Sequence, residues 1–365
     1  AGKMFLSELE KEVGELCGAF NKHKSENLRW GSQKGSIVLG NQHIATERAR
    51  VRDRSGNEVE LKTYQQFQDP GLFEQAVFAE GIKKVSQRDY QKGLSKVASS
   101  FGFSKSSVSR KWVKATAKKL EEFQSRSLRE MDIRAVFIDG KKFKKQGVII
   151  ALGVASDGKK YILGIYQASS EDSESCLNLL NDLENRGLPE RGLVFVVDGG
   201  SGLNKALNLK YECDNRSRRR AIRVRCHVHK WRNIEKALGD MSHKALGAFW
   251  ALRDAKDMAE AKVLSDRLES ILRDLNVSAL QSYLEAKDDL LAIHELKLSR
   301  ELKKFFSTTN PIESLNSLLE EDMRRVKSWK SKDFMRWLAT FCLQSEKRMH
   351  KVRGYKQLPA LWVKL

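Results

Sequence analysis

The segment between residues 134 and 198 constrains the fold most, because its apolar residues follow short strand-like runs rather than helical spacing. The runs 135–138, 147–154 and 161–165 are separated by turn residues and predict three antiparallel strands. A stretch with leucines on one helical face follows them, and the continuous apolar run 193–197 predicts a central buried strand. The segment therefore predicts a sheet with one helix before its fourth strand.

Three strands, a helix and a fourth strand, with Asp at the ends of the first and fourth strands, form the ribonuclease H-like arrangement. We therefore predict an α/β fold, in which a ribonuclease H-like catalytic core is interrupted by an all-helical insertion and preceded by a helical helix-turn-helix region and a small β-hairpin. The predicted domains are 1–62 (N-terminal helix and small β element), 63–130 (helix-turn-helix region), 131–232 (first part of the core), 233–306 (helical insertion), 307–345 (closing core helix) and 346–365 (basic tail).

The charge balance indicates the kind of partner. The chain has 67 Lys and Arg against 47 Asp and Glu, a formal charge of +20, and 41% hydrophobic residues. This composition excludes a disordered basic tail and favours a folded protein that binds a polyanion, with nucleic acid as the first candidate. No apolar stretch reaches the ~18 residues of a membrane span, and the five cysteines lack a Cys-x-x-Cys pair, which fits a reducing cytoplasm.

Residues 97–112 follow the pattern of a helix-turn-helix, with a small Ala98, a turn at Gly102 and a capping Ser104. The second helix is expected to present side chains suited to a DNA major groove, namely Lys105, Ser106, Ser109 and Arg110. A short helical hairpin without DNA binding is the alternative.

The N-terminal region predicts an amphipathic helix and then a hairpin. The helix stripe consists of Leu6, Leu9, Val13, Leu16 and Phe20. In the hairpin, strand alternation places Arg48, Arg50 and Arg52 on one face. Those arginines are candidates for phosphate contacts, and a solvated edge strand is an equal alternative.

A second basic segment lies between residues 216 and 232, where eight basic residues occur without an acidic one. A solvated loop is the alternative to a DNA-contacting strip, for which the candidates are Arg223, Arg225, Lys230, Trp231 and Arg232. Within it, Cys226 and His229 have metal-ligand spacing, but no matching pair occurs elsewhere, so a structural zinc site is disfavoured.

Three carboxylates are candidates for one catalytic site: Asp139, Asp198 and Glu313. Phosphodiester cleavage uses divalent cations, and Mg²⁺ prefers carboxylate oxygens, with two ions ~3.5 to 4 Å apart. Each carboxylate also has a structural alternative. Asp139 could belong to a hairpin turn, Asp198 to a strand-to-helix turn, and Glu313 to a capping box with Asn310.

From about residue 35 to 350, the sequence resembles the Mutator-type transposases of bacterial insertion sequences. The resemblance rests on the Asp-Gly pairs at 139 and 198, Arg186-Gly187-Leu188, and two more specific segments, 225–233 and 309–316. It implies a ribonuclease H-like core with Asp139, Asp198 and Glu313 as its acidic triad. It also implies that the Cys-x-x-His motif positions the active site and the DNA end. His227 departs from the family, where many members carry an aromatic residue.

The resemblance implies a DNA transposase that binds terminal inverted repeats, cuts DNA to a 3′-OH with two Mg²⁺ ions, and transfers the strand, by a copy-out, paste-in route. Mn²⁺ is expected to substitute. The expected partners are double-stranded DNA, both repeat and target, and a second copy of the chain, with no membrane and no small-molecule substrate, in the bacterial cytoplasm at the nucleoid. The alternatives are a domesticated regulator that binds without cutting, and a ribonuclease H-like nuclease that does not join strands.

Overall fold

The computed structural model describes residues 2–18, 26–39, 42–68, 105–143, 145–215, 217–324 and 331–361. The chain divides into two compact units, Ala1–Lys118 and Lys119–Leu365. No helix in the described ranges is long and apolar enough to cross a membrane.

The first unit contains a small antiparallel sheet and a helix. Helix α1 (Gly2–Cys17) precedes strands β1 (Asn27–Leu39), β2 (Gln42–Asp53) and β3 (Glu58–Val59), and a short helix α2 (Lys62–Gln66) follows. The predicted hairpin is confirmed by the pairing of β1 with β2, and its turn at residues 40–41 lies outside the described residues.

The buried face of α1 differs slightly from the prediction. Phe5, Leu9, Val13 and Cys17 are buried at four-residue steps, whereas Leu6 is 47% exposed. Phe5 contacts the ring of Phe67 edge-on, with centroids 5.1 Å apart. Leu9 and Val13 are therefore buried as predicted, whereas Phe5 and Cys17 replace Leu6 and Leu16 at the outer positions of the stripe, and Phe20 lies outside the described residues.

Helix α3 (Lys105–Ser125) is the described part of the predicted helix-turn-helix region. Its first helix and turn, residues 97–104, lie outside the described residues, as do the side chains of Lys105, Ser106, Ser109 and Arg110.

The second unit is built on a mixed five-stranded sheet, in the order β6-β5-β4-β7-β8. Strands β4 (Ile133–Phe143), β5 (Gln146–Ala155) and β6 (Lys160–Gln167) are antiparallel, as predicted. Helix α4 (Ser173–Asn185) leads to β7 (Leu193–Val197), and helix α5 (Ser201–Tyr211) leads to β8 (Ala221–Arg225). Strand β7 lies in the middle of a parallel trio with β4 and β8, and all five of its residues are buried.

Helices α4 and α5 cover one face of this sheet, because their apolar residues recur at helical spacing. Cys176, Leu179, Leu180 and Leu183 of α4 pack in one core cluster with Leu203 and Leu207 of α5 and with the sheet. Burying each leucine side chain of this face contributes about 1.5–3 kcal/mol to the free energy of folding.

A run of helices follows β8, as the composition of residues 233–306 predicts. These are α6 (His227–Leu238), α7 (His243–Asp254), α8 (Met258–Leu275), α9 (Val277–Leu291) and α10 (Arg300–Phe306), and the first four share their own hydrophobic core. Helix α11 (Asn310–Arg324) then returns to the sheet and packs on β4, and α12 (Ser331–Arg348) packs on α11 and β6.

Candidate functional site

Two of the predicted carboxylates lie on neighbouring parallel strands. Asp139 lies inside the β4–β5 ladder, so its Asp-Gly pair is not a hairpin turn. Asp198 directly follows β7, and its Oδ1 accepts a hydrogen bond from the Gly200 N–H at 2.9 Å. Because Phe137 of β4 is level with Val196 of β7, the same register two residues further on brings Asp139 level with Asp198.

Glu313 reaches the same place from α11. One turn after Glu313, the Asn316 amide donates to Asp139 Oδ2 at 2.6 Å, which directs this helix face towards β4. Glu313 Oε1 accepts a hydrogen bond from the Thr309 hydroxyl at 2.6 Å. A capping box with Asn310 would need the Asn310 N–H to donate to Glu313, but that N–H donates to the Thr308 hydroxyl at 3.2 Å. The Glu313 carboxylate therefore faces the two aspartates rather than capping its helix.

Hydrogen-bond contacts of Thr309 connect the Cys-x-x-His motif to Glu313. Cys226 caps α6, accepting from the His229 N–H at 3.5 Å, and its Sγ also lies 3.3 Å from the Thr309 hydroxyl. His229 Nδ1 lies 3.2 Å from that hydroxyl, and His229 Nε2 lies 3.9 Å from Glu313 Oε1. Burial raises the pKa of the Cys226 thiol, but hydrogen bonds from His229 and Thr309 outweigh burial and leave that pKa lowered. The motif thus fixes the start of α11 against the start of α6.

A fourth carboxylate, Glu171, joins the cluster and was missed by the sequence analysis. It lies in the loop between β6 and α4, and its Oε1 is buried without a hydrogen-bond partner among the described residues. A Cβ atom on Gly140 would lie 2.8 Å from Glu171 Oε2, and one on Gly200 would lie 3.1 Å from Oε1. The glycines beside the two aspartates are therefore the sequence signal for this close approach.

The four carboxylates repel one another. Burial, followed by the charges of Asp198 and Glu313, raises the pKa of Asp139 to about 6. Burial, followed by the charges of Asp198 and Asp139, raises the pKa of Glu171 to about 7. The pKa of His229 is also raised, by its hydrogen bond to Cys226 and then by nearby negative charge. The site therefore carries more negative charge than its own side chains neutralise.

The donor set fits a divalent cation. Within the described ranges, no three His, Cys, Asp or Glu side chains already surround one point at metal-binding spacing. However, the site offers carboxylate oxygens, the ligands that Mg²⁺ prefers, and Glu171 Oε1 is left without a partner. A cation here would relieve the repulsion that raises the pKa values of Asp139 and Glu171.

The second basic segment has a different role from the one predicted. Lys230 is 2% exposed, and its ammonium donates to Glu285 at 2.6 Å and to the Ser282 carbonyl at 2.9 Å. Trp231 is 6% exposed and packs on Phe249, with ring centroids 5.2 Å apart. Their burial argues against the predicted DNA contacts, because neither side chain reaches a surface where DNA could lie.

The arginines of this segment are also mostly engaged inside the protein. Arg223 donates to Asp289 at 2.7 Å and to Asn208 at 2.6 Å. Arg225 is 4% exposed and lies directly under Gly199, where a Cβ atom would be 1.4 Å from its Nη1. It therefore supports the turn that carries Asp198. Arg232 is exposed and remains a candidate for DNA contact.

The three arginines of β2 lie on one face, as predicted, and are half-buried. Arg50 pairs with Glu58 at 2.9 Å, and Arg48 lies 3.5 Å from the same carboxylate. The Arg52 guanidinium lies over the Trp30 ring, 4.7 Å from its centroid. These contacts order the face, and its DNA contacts remain a prediction.

Together, these features define a mixed α/β protein with an acidic site at the junction of two parallel strands and a helix that follows a long helical insertion. The model of the family described as "Transposase, Mutator family" matches residues 3–341. The chain therefore belongs to the Mutator family of transposases.

The chain is similar to proteins named as transposases of bacterial insertion sequences. The chain is 28% identical over 242 residues to the transposase for IS6120 of Mycolicibacterium smegmatis, covering 63% of this chain and 70% of the relative. It is 26% identical over 254 residues to the transposase for IS905 of Lactococcus lactis, covering 66% and 62%. It is also 26% identical over 348 residues to the transposase for IS1201 of Lactobacillus helveticus, covering 89% and 88%.

Proposed function

We propose that this chain cuts the ends of an insertion sequence and joins them to target DNA, in a reaction that depends on Mg²⁺. The observation that carries the proposal is the approach of Glu313, through Asn316 and Thr309, to Asp139 beside Asp198. We also propose that the core is ribonuclease H-like, which the sheet order and the position of these carboxylates support.

Two Mg²⁺ ions, or Mn²⁺ in their place, would activate the attacking oxygen and stabilise the leaving oxygen of an in-line displacement. Asp139 and Asp198 would hold them, with Glu313 completing one coordination sphere. The Asn316 amide and the Thr309 hydroxyl hold the carboxylates of Asp139 and Glu313 in place.

Two steps follow from this arrangement. In the first, a water oxygen bonds to the scissile phosphorus and the 3′ oxygen leaves as a hydroxyl. In the second, that 3′-OH attacks a phosphodiester of another DNA segment and displaces its 3′ oxygen. Neither step needs a covalent protein intermediate. The family's copy-out, paste-in route, a homodimer that pairs two ends, and terminal-repeat recognition by the region around α3 complete the proposal.

The test compares Glu313→Gln with the wild type on a labelled duplex that carries the end of the element, with Mg²⁺. Glutamine keeps the acceptor for Thr309 but removes the charge, so cleavage and strand transfer should be lost while DNA binding and folding persist. Glu235→Gln, an exposed change on α6, is the control and should react as the wild type does.

Other results would favour the alternatives. Wild-type cleavage without labelled joint products would indicate a nuclease that does not transfer strands. DNA binding without cleavage by the wild type would indicate a regulator. Undiminished cleavage by Glu313→Gln would remove Glu313 from the site.

A further inference from the structure

An open groove lies on the face of α11 opposite the carboxylates. Its volume is about 830 Å³, within the range of ligand pockets, and it is bounded by α7, α10, α11 and the segment after α12. On α11, Pro311, Leu315 and Leu318 line this groove, whereas Glu313 and Asn316 project from the other side of the helix. We call it the α11 groove.

Cations surround the groove. Its lining includes six basic residues and, among the described lining residues, one acidic residue, Glu301; the basic ones are Lys160, Arg253, Lys304, Arg348, Lys351 and Arg353. Three of the six pair with carboxylates, those of Asp254, Asp322 and Asp157. In the part of the chain that the structure describes, the other three form no ion pair. The groove therefore carries uncompensated positive charge and favours a polyanion.

The floor of the groove is apolar and aromatic. Trp250 is partly exposed there, and the Arg253 guanidinium lies over its ring, 4.8 Å from the centroid. The Phe249 ring packs edge-on against the indole, with ring centroids 5.3 Å apart. Phe305 and Val352 extend the floor. An ordered aromatic surface of this kind can stack on the flat face of a base.

These two features together identify the occupant. A duplex offers phosphates and base edges but hides its base faces, because its bases are stacked on one another, so it would leave the aromatic floor unused. A single strand offers phosphates to the cationic rim and base faces to the floor. We propose that the α11 groove binds an unpaired segment of DNA strand, next to the strand that the carboxylates cut. This inference rests on the proposed function.

The groove and the acidic site share α11, so the bound segment would lie about one helix diameter, ~10 Å, from the carboxylates. Unpaired DNA close to the reacting strand is expected where an end is opened for cutting or joining. Binding in the groove would then hold the end open.

Binding of a fluorescein-labelled 12-nucleotide oligothymidylate tests the proposal, measured by anisotropy with the full chain in EDTA, where no cleavage occurs. Lys304 and Arg353 are both exposed, and the double change Lys304→Glu with Arg353→Glu should weaken binding about tenfold or more. The slope of the logarithm of the binding constant against the logarithm of salt concentration should also become shallower by about 1.4, because each of the two lost phosphate contacts contributes roughly 0.7. The matched control is Lys262→Glu with Arg267→Glu on α8, both exposed and outside the groove, which should bind as the wild type does.

A second pair of variants tests the floor. Trp250→Ala should weaken oligothymidylate binding about tenfold, whereas Trp250→Phe should retain most of it, because phenylalanine still stacks. If Trp250→Ala does not fold, the charge variants, which change only exposed side chains, carry the test alone.

Three results would overturn the inference. The groove variants could bind oligothymidylate as the wild type does, the groove and control pairs could lose equal affinity for it, or the groove variants could lose as much affinity for a 12-base-pair duplex of mixed sequence as for oligothymidylate. The last would assign the groove to duplex phosphates. Cleavage is measured separately on the duplex end. If the wild type cuts DNA and the groove variants bind oligothymidylate normally, only this inference is refuted. If the wild type does not cut DNA and the groove variants lose oligothymidylate binding, only the proposed function is refuted.

Discussion

Replacing Glu171 by glutamine should stabilise the metal-free protein and weaken its response to Mg²⁺. The pKa of this carboxyl rises from 4.5 to about 7 in the folded chain. Each pKa unit corresponds to about 1.36 kcal/mol, so the ionised carboxylate costs about 3 kcal/mol at most. Because the side chain is partly exposed, solvent screening reduces the cost to about 1–2 kcal/mol.

The sign of the pH dependence follows from the direction of the shift. A carboxyl group with a raised folded pKa binds its proton more tightly in the folded state, so its cost is complete above about pH 7 and absent below about pH 4.5. Thermal unfolding in EDTA should therefore show Glu171→Gln melting roughly 2–8 °C above the wild type at pH 8. The difference should disappear as the pH falls towards 4.5.

Adding Mg²⁺ at pH 8 should raise the melting temperature of the wild type more than that of Glu171→Gln, because a bound cation removes the repulsion that the variant already lacks. Glu235→Gln, which changes an exposed carboxylate on α6, should melt as the wild type does under both conditions. The electrostatic reasoning would be refuted if Glu171→Gln melted below the wild type at pH 8. It would also be refuted if the difference in melting temperature between the two proteins were the same at every pH.

Three further predictions concern the surroundings of the site. Gly199 has φ +97° and lies against Arg225, so Gly199→Ala should destabilise the chain by about 2 kcal/mol or more in urea unfolding, and wild-type stability would contradict that packing. Thr309→Val removes a hydrogen bond to the Glu313 carboxylate worth about 1.5–3 kcal/mol, so single-turnover cleavage should slow roughly 10- to 150-fold while Thr309→Ser stays close to wild type. Lys230→Met should lower the melting temperature but leave the salt dependence of duplex binding unchanged, and a shallower salt dependence would show that this lysine reaches DNA after all.

Hydrophobic periodicity predicted four of the five strands of the larger sheet, because the runs at 135–138, 147–154, 161–165 and 193–197 are continuous or alternating and bounded by turn residues. The fifth strand, β8, was not predicted, because its apolar residues alternate with arginines that were assigned to a DNA-contacting segment. Asp139 and Asp198 were expected to meet only if their strands were neighbours, and the parallel pairing of β4 with β7 fulfils that condition. The structure adds that β4 continues to Phe143, so Asp139 lies within a strand rather than at its end.

The rest depended on contacts that no periodic pattern records. Glu171 lies in a loop, and its approach depends on how the chain turns between β6 and α4. Lys230 and Trp231 were predicted to contact DNA only because one is basic and the other is aromatic. The recurrence of Trp231, Ile234 and Leu238 at helical spacing would have indicated a buried helix face, on which a lysine needs an internal partner.

The contact between Cys226 and Thr309 joins two residues that are 83 positions apart. The chain between them begins and ends at neighbouring positions, where the His227 N–H also donates to the Ser307 carbonyl at 2.9 Å. The distance between the two ends of this excursion is therefore fixed locally and does not depend on its length. A circular permutant opened between two of these helices keeps the α9 carboxylates that pair with Arg223 and Lys230, and it should still assemble its acidic site.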